Sequence, residues 1–73
     1  MTENLRRMAL SPRQLRCLQL AASGLSSPEI GARLGISPRT VNQHISEACE
    51  RLGVRTRIQA VARAVHLRLF EIL

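Results

Sequence analysis

Apolar residues recur along most of the chain at spacings of three and four, the period of one helix face, and no segment carries the alternation of a strand. One punctuation recurs three times: an apolar residue, Ser, three residues including Pro, then another apolar residue. The copies are Leu10-Ser11-Pro12-Arg13-Gln14-Leu15, Leu25-Ser26-Ser27-Pro28-Glu29-Ile30 and Ile36-Ser37-Pro38-Arg39-Thr40-Val41. Each reads as a helix start. The Ser oxygen accepts from an orphan backbone N–H of the first turn. Pro costs little there, because its missing N–H would have no helical partner, and the flanking apolar pair closes as a hydrophobic staple. Ser11 with Gln14, Ser26 with Glu29, and Thr56 with Gln59 also have the spacing of a reciprocal capping box. Gly24, Gly35 and Gly53 stand where a left-handed residue would end a helix. The pattern predicts an all-α domain with helices at 12–22, 27–34, 38–52 and 57–70. Only the tight turn Leu34-Gly35-Ile36-Ser37 separates the second from the third, the signature of a helix-turn-helix. Residues 1–9 lack periodicity and are expected to be a tail or linker remnant, with the domain occupying 10–73.

Composition adds a partner class. The chain has 73 residues and 45% apolar content, enough for a small aliphatic core, so disorder is not the default. All eleven basic residues are Arg and all five acidic residues are Glu, giving a formal charge of +6. A polyanion is the expected partner. Without Asp, Lys, Tyr or Trp, the chain cannot carry a Ser-His-Asp triad, a phosphate-loop lysine or a Tyr/Trp platform for single-stranded bases. An enzyme is not expected, nor is a cofactor. Cys17 and Cys49 have no His or Cys at ligand spacing, so they read as reduced thiols rather than zinc ligands. No apolar run approaches the roughly 20 residues needed to span a bilayer, and a cytoplasmic protein with no membrane partner is expected.

The third helix holds the recognition reading. Val41, Ile45, Ala48, Cys49 and Leu52 fall within about a 100° arc, the width of a core-facing stripe. Arg39, Asn42, Gln43, Ser46 and Glu50 lie opposite, with Thr40, His44, Glu47 and Arg51 on a flank. On an isolated helix this would be an ordinary solvated face. As the second helix of a helix-turn-helix in a chain of charge +6, it is the part that enters a major groove. Asn and Gln can pair bidentately with adenine, and Ser can donate or accept, so Asn42, Gln43 and Ser46 are the candidate base readers, with Arg39 able to grip guanine or phosphate. Thr40, Arg13, Arg16, Arg33 and His44 are candidate phosphate contacts, which position a protein on DNA without specifying sequence; His44 also suits a half-buried packing role. Glu47 and Glu50 would repel phosphate, so the helix is expected to tilt its C-terminal half away from the groove.

The stretch Leu10-Ser11-Pro12-Arg13-Gln14, then Gly24-Leu25-Ser26-Ser27-Pro28-Glu29-Ile30, Leu34-Gly35-Ile36-Ser37, Thr40-Val41-Asn42 and Arg51-Leu52-Gly53-Val54 resembles the LuxR-type helix-turn-helix domain across residues 10–70. The segment from Arg57 to Ala64 looks most like the acyl-homoserine-lactone receptors, which brings quorum sensing into view. The resemblance implies double-stranded DNA as partner, a third helix in the major groove, and a dimer to which the fourth helix contributes. Its base-contacting positions fall on Asn42, Gln43 and Ser46. The chain has Gln14 where the family usually has Glu, which keeps the capping box, and Asn42 where a basic residue is frequent, which bears on the target sequence. RNA polymerase is a further expected partner. The family commonly joins this domain to an N-terminal sensory domain, which residues 1–9 cannot be; the chain is expected to be an excised C-terminal domain or a stand-alone regulator.

In the fourth helix, Ile58, Val61, Ala62, Val65 and Leu69 form an apolar arc expected to dock on the other helices. Ala60, Ala64 and Leu67, with Arg63 beside them, form a second patch expected to meet a symmetry-related copy on a palindromic operator. Two alternatives share parts of the pattern: a promoter-binding module like region 4 of a sigma factor, and a basic protein-interaction module without DNA specificity.

Overall fold

The computed structural model describes residues 10–70; the expectations for 1–9 and 71–73 lie outside the described residues. Four helices follow one another: α1 (Pro12–Ala22), α2 (Ser27–Leu34), α3 (Pro38–Leu52) and α4 (Arg57–His66). Helix α3 is central and packs against the other three. The three expected capping boxes are all formed, with Ser11, Ser26 and Thr56 each exchanging hydrogen bonds with Gln14, Glu29 and Gln59. Helix α3 is capped from one side only. Ser37 accepts from the Thr40 N–H, but Thr40 has no carbonyl or carboxylate with which to reach back, and its hydroxyl pairs with Ser37 Oγ at 2.9 Å.

The helix ends share one chemistry. At Gly35, with φ 73°, the chain turns left-handed, and the Gly35 and Ile36 amides both donate to the Gly31 carbonyl. A side chain at Gly35 would meet no neighbouring atom within 4 Å, so glycine is needed for its backbone conformation and not for space. Helix α4 stops earlier than the expected residue 70. Arg68 adopts φ 58°, and the Leu69 N–H reaches back to the Ala64 carbonyl at 2.9 Å, closing a Schellman motif that the sequence does not advertise because no glycine marks it.

The core gathers Leu10, Cys17, Leu18, Leu20, Ile30, Val41, Ile45, Ala48, Leu52, Ala60 and Ala64. Helix α4 is rotated relative to the sequence expectation. Ala60 and Ala64 are fully buried, so they cannot form an outward patch, whereas Ile58 is 81% exposed and Ala62 is exposed as well. Hydrophobicity alone would turn the larger residues inward. Packing decides otherwise: α1 and α3 already fill the centre with Leu18, Cys17, Val41 and Ile45, and alanine lets the fourth helix axis approach closely. Val61 and Leu69 pack at the edge of the core, Val65 is half-buried, and Ile58 and Ala62 face outward. Among the described residues, no helix is long and apolar enough to cross a membrane.

Candidate nucleic-acid interface

Helix α3 sorts its residues by face as its period requires. Val41, Ile45, Ala48 and Leu52 are buried, while Arg39, Asn42, Gln43 and Ser46 are exposed and lie in its first nine residues. The four candidate base readers are therefore brought together on one accessible surface. Thr40 is half-buried and engaged with Ser37. Arg13, Arg16 and Arg33 are exposed on α1 and α2, and Arg16 Nη1 donates to Gln19 Oε1 at 2.8 Å along its own helix. His44 is half-buried. Its Nδ1 is inaccessible and has no hydrogen-bond partner among the described residues, the Glu47 carboxylate lying 3.8 Å away. That nitrogen cannot reach phosphate.

Two side-chain connections hold α3 in place, and neither could be read from a motif. Gln14 is buried at the start of α1 and uses both ends of its amide: Oε1 accepts from the Ser11 N–H at 2.9 Å, and Nε2 donates to Glu47 at 3.2 Å. Glu47 is thus a bridge to α1, not merely a repulsive charge. On the other side, Arg57 of α4 donates to Ser27 Oγ at 2.8 Å and to the Leu25 carbonyl at 3.0 Å, and Ser27 meets Asn42 Oδ1 at 2.5 Å. These partners are 33, 30, 32 and 15 residues apart in sequence, beyond the reach of any local signal.

Both cysteines are free. Burial pushes the Cys17 thiol up, partly offset by Arg13 and Arg57, and burial likewise raises Cys49, whose Sγ lies 3.5 Å from the Thr56 carbonyl. Such thiols are poor nucleophiles and suit a packing role. Glu29 moves the opposite way: the Ser26 backbone N–H and then its hydroxyl hold the carboxyl below the ordinary range.

A short capped helix, a three-residue turn and a longer helix with a polar outward face define a helix-turn-helix domain. Residues 8–64 match the bacterial regulatory proteins of the luxR family, and the chain belongs to that family. It is similar to the transcriptional activator protein VanR of Vibrio anguillarum, 42% identical over 81% of this chain and 25% of that protein. The probable transcriptional regulatory protein NarL of Mycobacterium tuberculosis is 42% identical over 85% of this chain and 29% of its own length. The quorum sensing-dependent transcriptional regulator RpaR of Rhodopseudomonas palustris is 41% identical over 93% and 28%. The chain thus spans between a quarter and a third of the length of these curated relatives. No solved structure matches it. The family is one of DNA-binding transcription regulators and not of enzymes, and the domain described here is its helix-turn-helix.

Proposed function

We propose that the chain binds double-stranded DNA sequence-specifically with α3 in the major groove, and that two copies bind a palindromic operator. The observation that carries this reading is the placement of Arg39, Asn42, Gln43 and Ser46 on one exposed surface of α3, back to back with its buried stripe. In this reading Asn42, Gln43 and Ser46 read bases, Arg39 grips guanine or phosphate, and Arg13, Arg16, Arg33 and Thr40 contact the backbone. His44 contributes packing.

The dimer forms through α4, though by a different surface from the one its sequence suggests. A groove lined by Ala21, Ala22, Arg57, Ile58, Val61, Ala62, Val65 and His66 leaves Ile58 facing solvent beside the half-buried Val61 and Val65. Such a patch on a small domain suits an isologous contact with a second copy. The greater length of the relatives supports control by a sensory domain joined to this one, and the name of RpaR supports quorum sensing as the setting; RNA polymerase as a further partner and the bacterial nucleoid in the cytoplasm as the place of action complete the reading.

Selection of bound duplexes from a random pool tests the reading. It is expected to return two half-sites at fixed spacing. Gln43→Ala should relax preference at one or two positions by about 1–3 kcal/mol, while Arg13→Ala weakens all sequences alike and lowers the salt slope by roughly 0.9. Equal loss on specific and scrambled duplexes in Gln43→Ala would exclude that residue from base readout. A chain without sequence preference at any ionic strength would instead be a protein-interaction module.

A further inference from the structure

Asn42 is exposed on the groove-facing surface of α3, yet its amide is held. Its Oδ1 lies 2.5 Å from Ser27 Oγ, at the first residue of α2, and Ser27 Oγ lies 2.8 Å from Arg57 Nη1. Chemistry fixes the direction of this chain. A guanidinium only donates and an amide oxygen only accepts, so Ser27 Oγ takes a hydrogen bond from Arg57 and gives its single proton to Asn42 Oδ1. Arg57 is itself anchored, because its Nη2 donates to the Leu25 carbonyl at 3.0 Å.

We propose that Ser27, oriented by Arg57, is a positioning residue for base readout that turns the carbonyl end of Asn42 toward α2 and presents its Nδ2 donor to the DNA. The proposal rests on the reading of Asn42 as a base contact. Nδ2 has no partner among the described residues, so both its protons are available. The base it meets must then offer an acceptor: N7 of a purine, O6 of guanine or O4 of thymine. Cytosine presents only its N4 amino donor in the major groove, so donor would face donor. A freely rotating asparagine would turn its carbonyl outward and accept cytosine too. The held amide narrows the choice by excluding one base.

Duplex selection with the 73-residue chain, run on the wild type, Asn42→Ala, Ser27→Ala and Ser27→Thr, tests this, with thermal unfolding of each variant as the check on folding. Asn42→Ala identifies the contacted position as the one where preference disappears. There the wild type is expected to deplete cytosine, Ser27→Ala to raise cytosine about fivefold or more, and Ser27→Thr, which keeps the hydroxyl, to restore depletion. In the free chain, the side-chain 15N order parameter of Asn42 should fall in Ser27→Ala and recover in Ser27→Thr, a readout that needs no DNA. If Asn42→Ala relaxes a position but Ser27→Ala keeps the wild-type pattern there, the positioning role is overturned and the reading of Asn42 stands. If Asn42→Ala changes no position, Asn42 is not a base reader and both fall.

Discussion

Gln14 shows how much one amide settles in this domain. As a glutamine it both accepts from the Ser11 N–H and donates to Glu47, joining the first turn of α1 to the middle of α3. A glutamate could keep the first bond but would set a second carboxylate against Glu47 at a buried site. Gln14→Glu is therefore expected to lower stability by about 1–3 kcal/mol at neutral pH, and adding Glu47→Gln should restore most of it by supplying a donor again. Urea unfolding of the single and double variants measures both, and equal midpoints for the two would remove Gln14–Glu47 from the list of bonds that matter. The capping half of Gln14 is legible in the sequence because its partner is three residues away; the Glu47 half is not, because 33 residues of chain intervene. Asn42 repeats the lesson: its residue type marks it as a candidate reader, but its contact with Ser27, 15 residues away, leaves no signal in the sequence.

The helices were almost fully readable, since caps, staples and glycine stops act within four or five residues of chain. The one misjudged boundary is the end of α4, where Arg68 takes a left-handed conformation without glycine to announce it. Helix α2 carries a titratable cap. Glu29 accepts the Ser26 N–H at 2.8 Å, and that bond, followed by the Ser26 hydroxyl, holds its carboxyl below the ordinary value of 4.5. A depressed carboxyl contributes stability that is present above its unfolded value and is lost as pH falls through the lower folded one. Stability should accordingly be insensitive to this group above about pH 5 and decline below about pH 4.5. Thermal unfolding of wild type and Glu29→Gln across that range is expected to give a shallower acid decline in the variant, whose neutral amide keeps an acceptor for Ser26. Parallel declines would show that the cap does not couple to pH.

At the scale of the molecule, α4 is where local pattern and global packing part company. Ile58 points outward while Ala60 and Ala64 lie inward, because the helix must sit close against a centre already filled by α1 and α3. The two faces should respond to substitution in opposite ways. Ile58→Glu is expected to leave the unfolding midpoint nearly unchanged and to abolish concentration-dependent association in sedimentation. Ala60→Leu, by overpacking the core, should cost about 1–3 kcal/mol of stability. Association that survives Ile58→Glu would move the dimer contact off this groove. Twofold pairing through α4 would also compensate for the small core that 73 residues can build.

Capping, periodicity and residue chemistry are local properties, so the all-α class, the starts of all four helices, the family and the polar face of α3 that carries Arg39, Asn42, Gln43 and Ser46 are legible in the chain alone. The tertiary structure decided which face of α4 is buried, that Glu47 is a tether, that the Nδ1 of His44 turns inward, and that Ser27 and Arg57 hold Asn42. Each of these depends on how closely helices approach one another and which side chains then meet, and pairs separated by 15 to 33 residues leave no trace in the spacing of the chain.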